Sequence, residues 1–232
     1  MRWCEDFARA GDPGLSGPQH RLWLARLEAE VGNFRAALRW SLLHPAELTA
    51  GLRTAALLVR LWFLGGASAE GIEWLTSLLA NAPPNAARVE ALSAAGFLLV
   101  RRGEPQRARP LLEEAVTLAR QLGEPYLLVV SLHHLGEMRV QEGNTAAAKG
   151  ALEESVALST GGEDWPVFWP PYVAFYNLGE VAEIERDPLA AAAFYRRSMD
   201  TATEHHDSFR TSPPRLLGQR TSQRGPGLRA SR

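Results

Sequence analysis

The chain has 232 residues, 46% apolar and 22% charged, with a formal net charge of −1. That is the composition of a soluble globular protein, long enough for one domain or one short solenoid, and nothing in it requires disorder over most of the length. No apolar run reaches the ~20 residues that span a bilayer; the longest candidate, Leu57 to Leu64, is interrupted by Arg60. Met1 to Ala10 carries Arg2, Glu5, Asp6 and Arg9 around no apolar centre and does not read as a secretion signal, so a cytoplasmic location is expected. One cysteine, Cys4, excludes an internal disulfide and a Cys-cluster zinc site. The last 23 residues hold six arginines and no acid, which leaves the rest of the chain acidic. An acidic body offers no clustered cations for phosphate, so neither direct nucleic-acid binding nor membrane binding is expected.

In chain order, residues 1–12 read as an N-terminal extension. Residues 13–44 read as a lead-in helical hairpin, with its pair over about Pro18 to His44 and Gly32-Asn33 as the turn. A degenerate unit follows: Leu57 to Leu64, the turn Gly65-Gly66, then Gly71-Ile-Glu-Trp-Leu75 and Leu78, closed by Asn81-Ala-Pro-Pro-Asn85. Trp23, Trp40, Trp62 and Trp74 sit at helical spacing among leucines and are expected in the core.

Three downstream segments align without internal gaps. They are Ala91 to Gly96 with Gly103-Glu104, Ala108, Leu112 and Ala115; Ser131 to Gly136 with Gly143-Asn144, Ala148, Leu152 and Ser155; and Ala174 to Gly179 with Arg186-Asp187, Ala191, Tyr195 and Ser198. Gly96, Gly136 and Gly179 lie inside a helix, where glycine costs about 1 kcal/mol relative to alanine, a cost tolerated where a neighbouring helix packs on the backbone. Gly103 and Gly143 suit a left-handed helix end. Glu104, Asn144 and Asp187 suit a helix start. Ala108, Ala148 and Ala191 are small where helices cross, and Leu112, Leu152 and Tyr195 supply the larger contact one turn later.

Over about residues 91–204 this pattern resembles the tetratricopeptide repeat, with a longer repeat period than the usual ~34 residues and Arg186 in place of the third turn glycine. The resemblance implies an all-α, right-handed tetratricopeptide-like α-solenoid of helical hairpins. Repeats are expected over about 45–85, 86–124, 125–162 and 170–207, within a unit 45–209, and 210–232 is expected to be a disordered Arg/Pro/Ser/Gly-rich C-terminal tail.

A more specific resemblance rests on Trp23 to Glu30, Asn33 to Trp40, Leu61 to Gly66 and Glu70 to Leu75. With the repeats behind them, they are similar to the helical sensor arm of bacterial LuxR-type and STAND ATPase transcriptional regulators. The resemblance covers about 18–204. The family's ATP site transfers to no residue here: a P-loop needs a Gly-rich frame around Lys-Ser/Thr, and the one lysine, Lys149, has none. No DNA-reading helix is legible after Arg210. The chain therefore reads as the arm alone, detached or truncated, with a frameshift as the hypothesis for its tail.

Mapping by repeat position puts Ser93, Phe97, Arg101, His133, Glu137, Gln141, Tyr176, Glu180 and Glu183 on the concave face. Two readings stand: a polar, acidic groove for a basic peptide or small polar effector, or a solvated helix face. His133-His134 and His205-His206 point about 100° apart as helical neighbours and do not chelate as pairs; His133 with Glu137 is better spaced but shows no third ligand. No metal, cofactor or catalytic constellation is argued, so an enzyme is disfavoured. The loop Gly161 to Tyr172, with Trp165, Phe168 and Trp169, is a partner-binding lip or a plug between repeats. The expected role is a protein- or effector-binding scaffold in signal transduction or transcription regulation, and an exposed solenoid end predicts self-association; the alternative is a partner-dependent or non-functional fragment of such a regulator.

Overall fold

The computed structural model describes residues 1–16, 18–159 and 172–204. The residues described form twelve α-helices and one 3-10 turn: α1 (Arg2–Ser16), α2 (His20–Ala29), α3 (Val31–Leu43), the turn Pro45–Glu47, α4 (Leu48–Leu57), α5 (Val59–Leu64), α6 (Ser68–Leu79), α7 (Ala86–Arg101), α8 (Pro105–Leu122), α9 (Pro125–Gln141), α10 (Thr145–Ser159), α11 (Tyr172–Ile184) and α12 (Pro188–Glu204). The chain is an all-α solenoid of tetratricopeptide-like hairpins. α7–α8, α9–α10 and α11–α12 are the repeated pairs, and the first helices α4, α7, α9 and α11 pack in sequence behind one another, with α1 against α4. Both the 210–232 tail and the 161–172 aromatic loop, apart from Tyr172, lie outside the described residues, as does the His205-His206 pair.

One contact repeats in every pair. A Cβ added at Gly96 would come 2.4 Å from Leu112, at Gly136 2.5 Å from Leu152, and at Gly179 2.4 Å from Tyr195. The second helix therefore lies directly on the glycine backbone, with Ala108, Ala148 and Ala191 buried beside the crossing. Each turn closes in the same way. Gly103 and Gly143 adopt φ of 76° and 74°, and Arg186 takes the equivalent left-handed position at 62°. The following residue then donates its N–H back into the helix: Glu104 to Leu99, Asn144 to Arg139 and Asp187 to Ala182, at 2.9–3.0 Å. This satisfies carbonyls that a helix end leaves open. Asn144 and Asp187 cap the next helix through Oδ1, accepting from the N–H of Ala147 (3.2 Å) and Ala190 (2.9 Å). Glu104 makes no such cap and pairs with Arg102 and Arg107 instead.

α7 is buried from Ala91 through Val100 on every face, as a helix enclosed by neighbours must be. It sits among α4, α6, α8 and α9. Between repeats, the Ser93 and Ser131 hydroxyls meet at 3.0 Å, and Ser131 donates to the Leu127 carbonyl at 2.7 Å. Within the second and third hairpins, Ser155 donates to the Val129 carbonyl and Ser198 to the Tyr172 carbonyl, at 3.0 and 2.7 Å. On the outer surface, Arg120 of α8 reaches Glu154 of α10 at 2.6 Å, and Arg88 reaches Glu114 at 2.6 Å. Exposed pairs of this kind each contribute less than about 1 kcal/mol.

The N-terminal third differs from the sequence reading in three places. Residues 2–16 form one helix, with Pro13 inside it; Cys4, Ala8, Asp12 and Leu15 face inward. α2 packs tightly on this helix at its glycines: a Cβ on Gly14 would overlap Trp23, and one on Gly11 would press on Leu27. The lead-in pair turns at Glu30, not at Gly32-Asn33, which fall in the first turn of α3. Asn33 donates to the Glu30 carboxylate at 2.6 Å there. Trp62 is in the core and Trp23 and Trp74 pack against it, but Trp40 is half exposed and stacks on His44 at 3.5 Å.

Candidate functional site

The surface expected to be the concave face is formed by α7, α9 and α11. Its side chains divide by depth. Phe97, His133 and Glu137 are buried, as is Ser93. Tyr176, Glu180 and Glu183 are half-buried, and Arg101 and Gln141 are exposed. The centre is thus not a solvated helix face. It is a packed polar cluster with an exposed margin.

The cluster is built across the first two repeats. Arg101, in the last turn of α7, places Nη2 2.6 Å from Glu137 Oε1 of α9. The Arg101 guanidinium also lies over the rings of Phe97 (5.3 Å) and Phe63 (6.0 Å), a favourable placement of a cation on aromatic faces. Phe97 touches Phe63 at 5.4 Å and His134 at 5.4 Å. His134 Nδ1 stands 3.8 Å from Glu137 Oε2, and the His133 ring is 5.3 Å from that of His134. Burial by itself would raise the Glu137 carboxyl. The His134 ring, the Arg101 guanidinium and the His133 ring outweigh it and hold the group at about 2.

His133, His134 and Glu137 bring three donor atoms within 4.8 Å of one another. The ~100° splay of neighbouring helical residues therefore does not keep the two histidines apart, because their side chains turn toward the common carboxylate. A divalent ion would use such a set, but Glu137 already carries a guanidinium on one oxygen, which supplies the positive charge the carboxylate needs. In the third repeat, Tyr176 meets Tyr195 at 5.5 Å. The Tyr195 hydroxyl is held above its usual range by burial and by Glu183 and Glu180.

Beside this cluster a cavity of about 360 Å³ opens between α1, α4, α5, α7 and α9. Phe97, Ser93 and His134 are shared with it; Asp12, Glu90 and Tyr126 are also in its lining. Burial lifts the Asp12 carboxyl to about 7, against the pull of Arg60 and Arg9. Glu90 is raised too, by burial first, with Arg53 and Arg9 opposing and Glu5 and Glu124 adding. The Tyr126 hydroxyl is raised by burial and by both acids.

The sequence reading missed Asp12, Glu90, Tyr126 and His134. Asp12 lies in Asp-Pro-Gly, a turn signature, which hid the helix. The spacing Cys4, Ala8, Leu15 was the signal that would have revealed it. His134 was set aside as the neighbour of His133, although both turn out to be buried on the same side.

Comparison with known proteins agrees with this architecture. The tetratricopeptide repeat family model matches residues 88–160. Proteins named, by inference, HTH-type transcriptional regulators in Mycobacterium tuberculosis and Mycobacterium bovis are 29% identical over 218 residues, covering 88% of this chain. The chain spans 24% of the length of those relatives. The crystal structure of BtubC (BKLC) from P. vanneervenii superposes with a TM-score of 0.61 at 18% identity, over 100% of this chain and 92% of that one, a likeness of fold alone. Residues 88–160 are thus a tetratricopeptide repeat module, in a chain similar to one segment of regulator-like proteins.

Proposed function

We propose that the chain is a binding scaffold, not an enzyme, and that it serves as the sensor arm of a LuxR-type ATPase transcriptional regulator. In that role it takes up a protein partner or a small effector and acts through nucleotide-binding and DNA-binding segments that lie elsewhere. The observation that carries this reading is the run of polar side chains along α7, α9 and α11: Arg101, Gln141, Tyr176, Glu180 and Glu183 remain at least partly accessible on helices that pack in succession. Successive first helices in a solenoid create an extended concave binding surface. The similarity to HTH-type regulators supports the assignment to transcription control. Acidic residues predominate at the α11 end, which favours a partner that presents basic side chains.

The test is capture of partners by the full chain from lysate of the source cell, with a Gln141→Arg, Glu180→Arg double variant as control. Glu137 is unsuitable as a control site, since it is buried and paired. The expected result is a protein bound by the wild-type chain and lost by a variant that unfolds at the same temperature, with the difference reproduced by the purified partner. Capture of the same proteins by both forms would overturn the reading.

A further inference from the structure

The cavity beside the polar cluster has the size of a small-molecule site, within the range of about 300–1,000 Å³ usual for such pockets. Its lining is mixed. Leu57, Val59, Ala94 and Val130 line it with hydrocarbon, and Phe97 adds an aromatic ring. The same lining carries two carboxyl groups, Asp12 and Glu90, and the Tyr126 ring. Asp12 is 8% exposed, and among the described residues its Oδ1 accepts no hydrogen bond. A buried acceptor without a donor costs about 1–3 kcal/mol, more when it is charged, and native structures carry few of them. Arg9, in the lining, gives its Nη2 to Glu5 at 2.9 Å, and Arg60 of α5 acts on Asp12 without donating a hydrogen bond to Oδ1. The group that answers this arrangement donates N–H, bears positive charge and has an apolar body.

We propose that this cavity binds a small organic cation, a primary amine on an apolar or aromatic body, with its ammonium on Asp12 and Glu90 and its body against Phe97 and Val130. The ammonium donates to Asp12 Oδ1 as a charge-assisted hydrogen bond. The Tyr126 ring, also in the lining, favours a cation over a neutral isostere. An anionic ligand is disfavoured by both acids. The site reaches the polar cluster through Phe97 and His134, which line the cavity and touch each other. Occupancy would therefore press on the same α7–α9 junction that Arg101 and Glu137 hold. The proposal deepens the scaffold reading by naming an effector class. It rests on that reading only for the ligand's regulatory role, not for its binding.

The experiment uses the full chain and three probes of one shape: 2-phenylethylamine, 2-phenylethanol and 3-phenylpropionate, titrated by calorimetry. The expected result is one saturable site for the amine, at least about tenfold tighter than for the alcohol, with no binding of the carboxylate. Asp12→Asn should erase the preference for the amine while keeping binding at the alcohol's level. Glu90→Gln should reduce the preference in the same direction, and Val130→Trp should abolish binding of both by filling the cavity. Thermal unfolding verifies that each variant is folded, and Glu90→Gln carries the test if Asp12→Asn does not fold. Equal affinity for amine and alcohol, tighter binding of the carboxylate, or no saturable amine binding up to about 10 mM, the weak limit for a ligand of this size, would overturn the proposal. None of these outcomes bears on partner capture by the α9–α11 margin, so the two readings fail separately.

Discussion

Arg101 Nη2 lies 2.6 Å from Glu137 Oε1, and this contact ties the first repeat to the second at the centre of the face expected to bind. The two partners are not equivalent. Glu137 is buried, while Arg101 keeps a third of its side chain in solvent. Removing the cation leaves a buried carboxylate short of its main counter-charge; removing the anion lets the arginine turn outward. Breaking a buried pair costs several kcal/mol when a charge is stranded. Arg101→Met is therefore expected to destabilise the chain by about 2–3 kcal/mol, and Glu137→Gln by about 1 kcal/mol. Urea unfolding of the two variants checks the order; an equal or reversed loss would show that burial does not decide it.

The two buried acids should give opposite responses to pH. Glu137 is held down at about 2, below its ordinary carboxylate value of 4.5, so its contribution is fully present above 4.5 and lost as pH falls toward 2. Burial pushes Asp12 up to about 7, above its ordinary value of 3.8. The folded state then holds a proton that the unfolded chain has released, and stability falls as pH rises from 3.8 through 7. The groups acting on Asp12 are Arg9 on its own helix and Arg60 on α5, and Tyr126 on α9 feels its charge in turn. Asp12→Asn should stabilise the chain at pH 8 and leave its stability unchanged at pH 3.5. Melting temperatures across that range test it; a constant offset would assign the effect to packing.

The repeated hairpins were legible from the sequence because each repeat imposes the same constraint on the same position. Gly96, Gly136 and Gly179 must be glycine for one reason, the helix lying on them, and a constraint that recurs is visible without coordinates. The N-terminal third repeats nothing, so its helix had to be read from Cys4, Ala8 and Leu15 against a Pro13 and two glycines that signal a break. Tertiary packing of Gly11 and Gly14 on Leu27 and Trp23 overrides that signal, and no local pattern records it. The site was half legible for a similar reason. Repeat mapping gives the helix and the face, but depth depends on the neighbours. Phe63 and Arg101 cover Phe97 and Glu137 from other elements, and the Asp12 carboxylate comes from a helix that the mapping left out.

Two helical glycines, Gly136 and Gly150, should respond to an added methyl group in opposite ways. A Cβ on Gly136 would fall 2.5 Å from Leu152 Cγ and 3.4 Å from the Ala148 carbonyl, and Leu152 is fully buried with little room to yield. Gly136→Ala should cost about 2–3 kcal/mol through overpacking of the α9–α10 crossing. Gly150 lies inside α10 with nothing within 4 Å of the added carbon. Gly150→Ala should stabilise by about 1 kcal/mol, the difference in helix propensity. Thermal unfolding of both variants decides the matter; a tolerated Gly136→Ala would mean that the repeated crossing can slide.

Arg186 is the one non-glycine residue at positive φ among the described residues, at 62°. It occupies the turn position that Gly103 and Gly143 fill in the two preceding repeats, and it keeps their hydrogen bonds: its N–H donates to Glu183 at 3.0 Å, and that of Asp187 donates to Ala182 at 2.9 Å. The closure of the α11–α12 turn is therefore intact, while the left-handed backbone costs about 1 kcal/mol for a residue bearing a Cβ. Its side chain is exposed, so little packing is lost on removing it. Arg186→Gly is expected to stabilise the third hairpin by about 0.5–1 kcal/mol. Amide hydrogen exchange in α11 and α12 reads the effect locally, where slower exchange is expected with α7 and α8 unchanged. Faster exchange in the variant would mean that the arginine side chain contributes more to the turn than its backbone strain removes.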